Sequence, residues 1–141
     1  MTDPVESHHQ DDGPPRPSIG PARVVKAFGY SMQGIASAWR TEGAFRQETL
    51  AAAVLVPVAL LLPVTAVERV LLIASIVLVM VVELLNSSIE AAVDRISLER
   101  HPLAKRAKDT GSAAVLVSLV IPAVTWLLIA GPLLVRWYGA R

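Results

Sequence analysis

Residues 113–135 run for 23 positions without a charged side chain, and this stretch constrains the fold more than any other. A bilayer core of about 30 Å is crossed by about 20 helical residues. Inside lipid every backbone N–H and C=O must be satisfied within the segment, so a single spanning segment of this kind is a helix. Two further apolar stretches precede it. One is centred on 50–64 and extends back toward Gly43; the other starts near Ala66 and is uncharged over 70–82, with Ser75 its one clearly polar residue. The chain is 53% hydrophobic and only 5% aromatic over 141 residues, a composition of membrane proteins. The expected architecture is all-α, with transmembrane helices at about 43–63, 66–99 and 109–135. Pro57, Pro63 and Pro122 fall inside these spans, where membrane helices tolerate proline with a kink.

Ahead of the spans lie two segments of different character. Residues 1–21 hold five of the ten prolines and read as a disordered tail. They have no apolar core of a signal peptide, and His8 and His9 read as a solvated pair. Over 22–41, Val24, Phe28, Met32, Ile35 and Trp39 recur at helical spacing, while Arg23, Lys26, Ser37 and Arg40 supply polar contrast. That pattern is too polar to span, and it predicts an amphipathic helix on the membrane surface.

Charge and composition exclude several classes of function. Without cysteine there are no disulfides, thiolate metal sites or cysteine nucleophiles. No basic stripe interleaved with aromatics is visible, so nucleic acid is not an expected partner. Five Lys or Arg precede the first span and five lie between the second and third, against Arg69 alone in the intervening loop. The positive-inside rule then predicts a cytoplasmic N-terminus and an external C-terminus.

Polar residues return abruptly at Glu83-Leu-Leu-Asn-Ser-Ser-Ile-Glu-Ala-Ala-Val-Asp94. At about 100° per residue, Glu83, Asn86, Glu90 and Asp94 share an arc of roughly 80°. Entry near Val67 brings the second span to the inner side near Asn86, with Glu83 about 5 Å inside that edge and Glu90 about 10 Å further toward the cytoplasm. Ionisable groups at membrane depth are costly and are retained for function. Read blandly, the helix emerges into water with Glu90 and Asp94 on a solvated face, and the small residues Ala107, Gly111, Ala114 and Ser118 serve close helix packing.

No phosphate-binding glycine loop, dinucleotide fingerprint, zinc-protease motif or serine elbow is present. What remains is Glu42, Glu83, Glu90, Asp94, Asp109, Asn86 and the cations Lys108 and Arg23. Carboxylates at a membrane surface suit Mg²⁺ shared with nucleotide phosphates, an arrangement that phosphoryl transfer requires. The same groups could instead line an ion or proton path, as in a small ion-coupled carrier. Residue chemistry leaves both classes open.

Several segments resemble the bacterial integral-membrane diacylglycerol kinases: Ala27-Phe-Gly-Tyr-Ser31, Glu42-Gly-Ala-Phe-Arg-Gln-Glu48, Arg69-Val-Leu-Leu-Ile73, Val82-Glu-Leu-Leu-Asn-Ser-Ser-Ile-Glu90, Val93-Asp-Arg-Ile96 and Arg106-Ala-Lys-Asp-Thr-Gly-Ser-Ala-Ala-Val-Leu116. The resemblance runs from about Arg23 to Trp126. It implies a surface helix plus three membrane helices, a homotrimer with active sites shared between subunits, and an inner-membrane location. It implies transfer of the ATP γ-phosphate, with Mg²⁺, to the hydroxyl of diacylglycerol to give phosphatidic acid. Carried over residue by residue, Glu83 matches the general base, and Glu42 and Glu90 match the metal-associated carboxylates. Arg23, Tyr30, Glu99, His101, Lys108 and Asp109 match nucleotide contacts, and Asn86 and Asp94 belong to the same polar site. Arg23, Arg69, Glu83, Ser112 and Trp126 match lipid-side positions.

Three departures stand out. Gln33 occupies a position where the family pattern has Lys, so that cation is absent or supplied by Lys26. Met32 replaces an aromatic residue, and Arg100 replaces Tyr. Related proteins phosphorylate undecaprenol, and Val82-Glu-Leu-Leu-Asn and Phe45-Arg-Gln-Glu look more like the diacylglycerol branch.

Overall fold

An extended residue at Glu42, an extended residue before Pro63 and a capping box at Thr65 divide the first three helices. The computed structural model describes residues 21–96 and 101–139. Of the expected tail over 1–21, residues 1–20 lie outside the described residues, as do Glu99 and Arg100, while Pro21 opens the first helix instead. Four helices account for nearly all the rest: α1 (Pro21–Thr41), α2 (Gly43–Leu61), α3 (Ala66–Ile96) and α4 (Pro102–Gly139). The last three are long and apolar enough to cross a membrane, and no strand occurs among the described residues.

Over residues 21–33, α1 exposes Val24, Phe28 and Met32, the first part of its apolar stripe. From Gly34 onward the chain forms a separate compact unit. There Glu42 takes an extended backbone, φ −101° and ψ 116°, with no side-chain cap, and separates α1 from α2. Arg46 reaches back over this break, with Nη1 donating to the carbonyls of Trp39 at 3.4 Å and Arg40 at 3.3 Å. Those carbonyls belong to the last turn of α1, where no helical N–H remains to reach them.

The α2–α3 connection follows from local sequence. Pro63, expected inside the first span, lies beyond α2 instead: Leu62 before it is extended, φ −63° and ψ 140°, as the proline ring requires of its predecessor, and the helix stops at Leu61. Thr65 then opens α3 with a capping box. Its backbone N–H donates to Glu68 Oε2 at 2.8 Å, and its hydroxyl accepts from the Glu68 N–H at 3.3 Å. Arg69 folds back over the end of α2, donating from Nε to Ala59 O at 3.3 Å and from Nη2 to Leu62 O at 3.2 Å and Val64 O at 3.4 Å.

Helix α4 begins at Pro102, seven residues before the apolar span was expected to start. Proline at the first helical position gives up no intrahelical bond. The preceding His101 receives the Leu103 N–H on Nδ1 at 3.2 Å, which satisfies one of the free donors of the first turn. With a rise of 1.5 Å per residue, α3 and α4 measure about 46 and 57 Å. Both outrun a bilayer core of about 30 Å, so each carries polar turns beyond the apolar part.

Helix α3 is the spine, packed against both α2 and α4, and among the described residues the backbones of α2 and α4 do not approach closely. Its buried face is Leu72, Ser75, Ile76, Val79 and Glu83. Buried hydroxyls are satisfied within their own helices: Ser75 donates to Leu72 O at 2.8 Å and Ser118 to Val115 O at 2.7 Å. The Trp126 indole N–H donates to Leu72 O at 3.4 Å, which ties α4 to α3 near one end of their interface. Of the small-residue face expected on α4, Gly111 and Ser118 are buried and Ala107 is half-buried, but Ala114 is exposed. Ala114 lies about 60° round the helix from Gly111, and Val115 takes the place nearer the contact.

Candidate active site

The polar site is built at the end of the α3 apolar run. Glu83 is the last residue of the buried face of α3, only 5% exposed. Steps of four, three and four residues along α3 keep to nearly the same side, and so carry the face from Leu72 through Ile76 and Val79 to Glu83. The carboxylates whose charges act on Glu83 are Glu42, at the α1–α2 break, and Glu90, two turns on. The backbone break at Glu42 therefore has a consequence: it brings a carboxylate from another element toward α3.

A fourth acid joins them. Glu48 on α2 feels the charge of Glu83, and its Oε2 is buried without a hydrogen-bond partner. The sequence reading missed Glu48 as a site residue. Its signal was visible in Glu42-Gly-Ala-Phe-Arg-Gln-Glu48, an acid placed just before an apolar run, and Arg46, the nearest cation in sequence, is turned to the carbonyls of Trp39 and Arg40 instead. Phe45, one turn before Thr49, is almost wholly buried at 2% exposure, and its packing fixes the side of α2 that meets α3.

Asn86 lies one turn beyond Glu83, half-buried. Its Nδ2 donates to Glu90 Oε1 at 3.2 Å, while its Oδ1 is buried and has no hydrogen-bond partner. Further along, Lys108 of α4 meets Asp94 of α3, Nζ to Oδ1, at 2.6 Å. Lys108 precedes the uncharged 113–135 stretch. The hydrogen bond that Asp94 accepts holds its ammonium above the ordinary lysine value. Asp109 is paired with Lys105 on an exposed face of α4.

The expected site residues thus divide into groups. Glu42, Glu83, Asn86 and Glu90 converge, and Asp94 and Lys108 pair on the next turns. His101 caps α4, and Ser112 is exposed beside buried Gly111. Arg23 and Tyr30 are exposed on α1. Arg69 and Trp126 lie away from the carboxylates: Arg69 is about 21 Å from Glu83 along α3, and Leu72, which Trp126 touches, is about 16 Å away. Glu99 lies outside the described residues.

The donor set suits a hard divalent cation. Every candidate ligand is an oxygen, and two buried oxygens, Glu48 Oε2 and Asn86 Oδ1, have no protein partner. Among the described residues, no three acidic or histidine side chains close into a metal cage.

Comparison with known proteins adds what geometry alone does not. The family model for prokaryotic diacylglycerol kinase matches residues 29–130. The diacylglycerol kinase of Escherichia coli strain K12 is 53% identical over 112 residues, covering 79% of this chain and 92% of that protein. The diacylglycerol kinase of Pseudomonas aeruginosa is 57% identical over 107 residues, 76% of this chain and 87% of that protein. That of Helicobacter pylori strain 26695 is 45% identical over 125 residues, 89% of this chain and 94% of that protein. The matched region takes in the α1–α2 break, the whole of α3 and the polar start of α4, and by this match the chain belongs to the prokaryotic diacylglycerol kinase family.

Proposed function

We propose that this chain is a lipid kinase that transfers the γ-phosphate of ATP to the free hydroxyl of diacylglycerol, giving phosphatidic acid. The observation that carries the reading is the setting of Glu83. It is an acid buried at the end of an apolar helix face, with Glu42 and Glu90 as its charge neighbours. The relatives named above are all diacylglycerol kinases, which favours diacylglycerol over undecaprenol as acceptor and a kinase over an ion carrier.

Phosphoryl transfer asks little covalent chemistry of a protein; positioning and electrostatics supply most of the catalysis. In this reading Glu83 accepts the proton of the acceptor hydroxyl as the γ-phosphate leaves ADP. Burial serves that role by keeping bulk water away from the carboxylate, so that the acceptor hydroxyl is the proton donor it meets. Glu42 and Glu90 would hold Mg²⁺ together with the nucleotide, with Asn86 orienting Glu90 by its hydrogen bond. When bound, Mg²⁺ neutralises charge on the transferring phosphates. Lys108 offers a cation to the phosphates from α4, and Asp94 fixes where that cation stands. Arg23, Tyr30, Glu99, His101 and Asp109 are proposed nucleotide contacts, and Arg23, Arg69, Ser112 and Trp126 proposed lipid contacts.

The remaining parts of the reading concern setting. Lys and Arg flank the Glu83 end of the spans, which supports a site facing the cytoplasm at the inner membrane. A homotrimer with shared sites is supported by the family relationship and by the open arrangement of α2 and α4, which leaves much of each helix uncovered. The test is product analysis. Purified full-length protein in mixed micelles with labelled Mg·ATP should label diacylglycerol in preference to undecaprenol. An absence of labelled lipid from either acceptor overturns the assignment.

A further inference from the structure

We propose that Gly111 is a positioning residue for this transfer, acting through Asn86. The inference rests on the kinase reading of the site. Gly111 is buried on the face of α4 that meets α3. A Cβ at this position would run into Asn86 Oδ1 and stand 3.3 Å from Asn86 Cγ and 3.9 Å from its Cβ. No other glycine among the described residues meets a neighbour so closely. The crowding is against the end of the Asn86 side chain, so it is the amide that has to move.

The amide concerned is also the one with an unusual hydrogen-bond balance. Its Nδ2 is committed to Glu90 Oε1 at 3.2 Å, whereas its Oδ1 is buried without a partner. A buried, unpaired oxygen costs free energy, so the amide does not sit there for its own stability. It sits there because the absent side chain at 111 leaves a seat for Oδ1 that points Nδ2 at Glu90. A methyl group in that seat forces the amide to rotate or back away, and the bond to Glu90 breaks. Glu90 then loses the donor that holds its carboxylate in one orientation. Alanine is otherwise the better helix former, so any loss on Gly111→Ala runs against local propensity.

A double-mutant cycle tests this with full-length wild type, Gly111→Ala, Asn86→Ala and the double variant in mixed micelles. Gly111→Ala should lower kcat at least 10-fold and raise the Mg²⁺ concentration for half-maximal rate, with the KM for diacylglycerol changed less than 2-fold. In the Asn86→Ala background the same substitution should change kcat less than 2-fold. Equal fold losses in both backgrounds, or full kcat in Gly111→Ala, overturn the proposal. The thermal unfolding midpoint gives a second cycle that needs no activity. It should fall on Gly111→Ala when Asn86 is present and not when it is alanine; an equal fall in both overturns the proposal even if Asn86→Ala is too slow to assay. Should Gly111→Ala fail to fold, recovery of folding in the double variant supports the contact and continued failure refutes it. Wild type without kinase activity would sink the functional reading while the midpoint cycle still decides whether Gly111 seats Asn86.

Discussion

Lys108 Nζ lies 2.6 Å from Asp94 Oδ1, joining α4 to α3 across the connection between them. Both side chains are partly exposed, and exposed pairs of this kind contribute little to stability. In the proposed function the pair instead holds a cation where phosphates arrive. Lys108→Met should therefore lower kcat by about 10², the effect of removing one donor from a charge-stabilising set. The unfolding midpoint in micelles should hardly move. A collapse of the midpoint together with unchanged kcat would assign the pair to the fold instead.

Glu83→Gln keeps the shape of the buried side chain and removes its ability to take a proton. A positioned general base contributes about 10² to 10⁴ in rate, so kcat should fall by at least about 10² with helical content preserved. The loss should persist at every pH, because glutamine has no titration to recover. Near-wild-type turnover would remove Glu83 from the base role.

Much of the fold could be read from the chain because its strongest signals are local. The apolar lengths and the periodic face of α3 each act within one element, and all four helices stand in the structure; Pro63, expected inside the first span, instead lies beyond the end of α2 at Leu61. The start of α4 was harder to read, since apolarity begins at residue 113 whereas the helix begins at Pro102, where a cap and a proline decide it. At the site, Glu83, Asn86 and Glu90 were legible because one helix carries them. Glu48 and Gly111 were not, because their significance arises only when α2 and α4 come against α3. The three-carbonyl contact of Arg69 was equally hidden: a lone arginine in a loop reads as a surface charge or a lipid contact until the end of α2 is seen beneath it.

That contact makes its own prediction. Arg69 donates to Ala59 O in the last turn of α2 and to Leu62 O and Val64 O in the loop that follows. Arg69→Gln removes a charged donor from several of them and should destabilise the protein by about 1–3 kcal/mol, measured by unfolding in micelles. Arg69→Lys should recover part of the loss, since an ammonium reaches fewer carbonyls than a planar guanidinium fork. A rise in the KM for diacylglycerol with no change in stability would instead favour a lipid contact.

Trp126 presents the same choice between fold and substrate, and one substitution separates them. Its indole N–H donates to Leu72 O at 3.4 Å, a long bond to an oxygen that also receives the Ser75 hydroxyl at 2.8 Å. Leu72 O therefore keeps a partner when the indole is lost. Trp126→Phe retains an aromatic ring at the α3–α4 contact but not the donor, so its stability cost should be at the low end for a neutral hydrogen bond, about 0.5 kcal/mol. Glu83 stands about 16 Å along α3 from Leu72, too far for Trp126 to touch the transferring phosphate. Its effect on catalysis should therefore appear as a higher KM for diacylglycerol, with the KM for ATP and kcat nearly unchanged. A fall in kcat at saturating lipid would show that the far end of the α3–α4 interface governs the geometry at Glu83, and would move Trp126 from lipid binding to positioning.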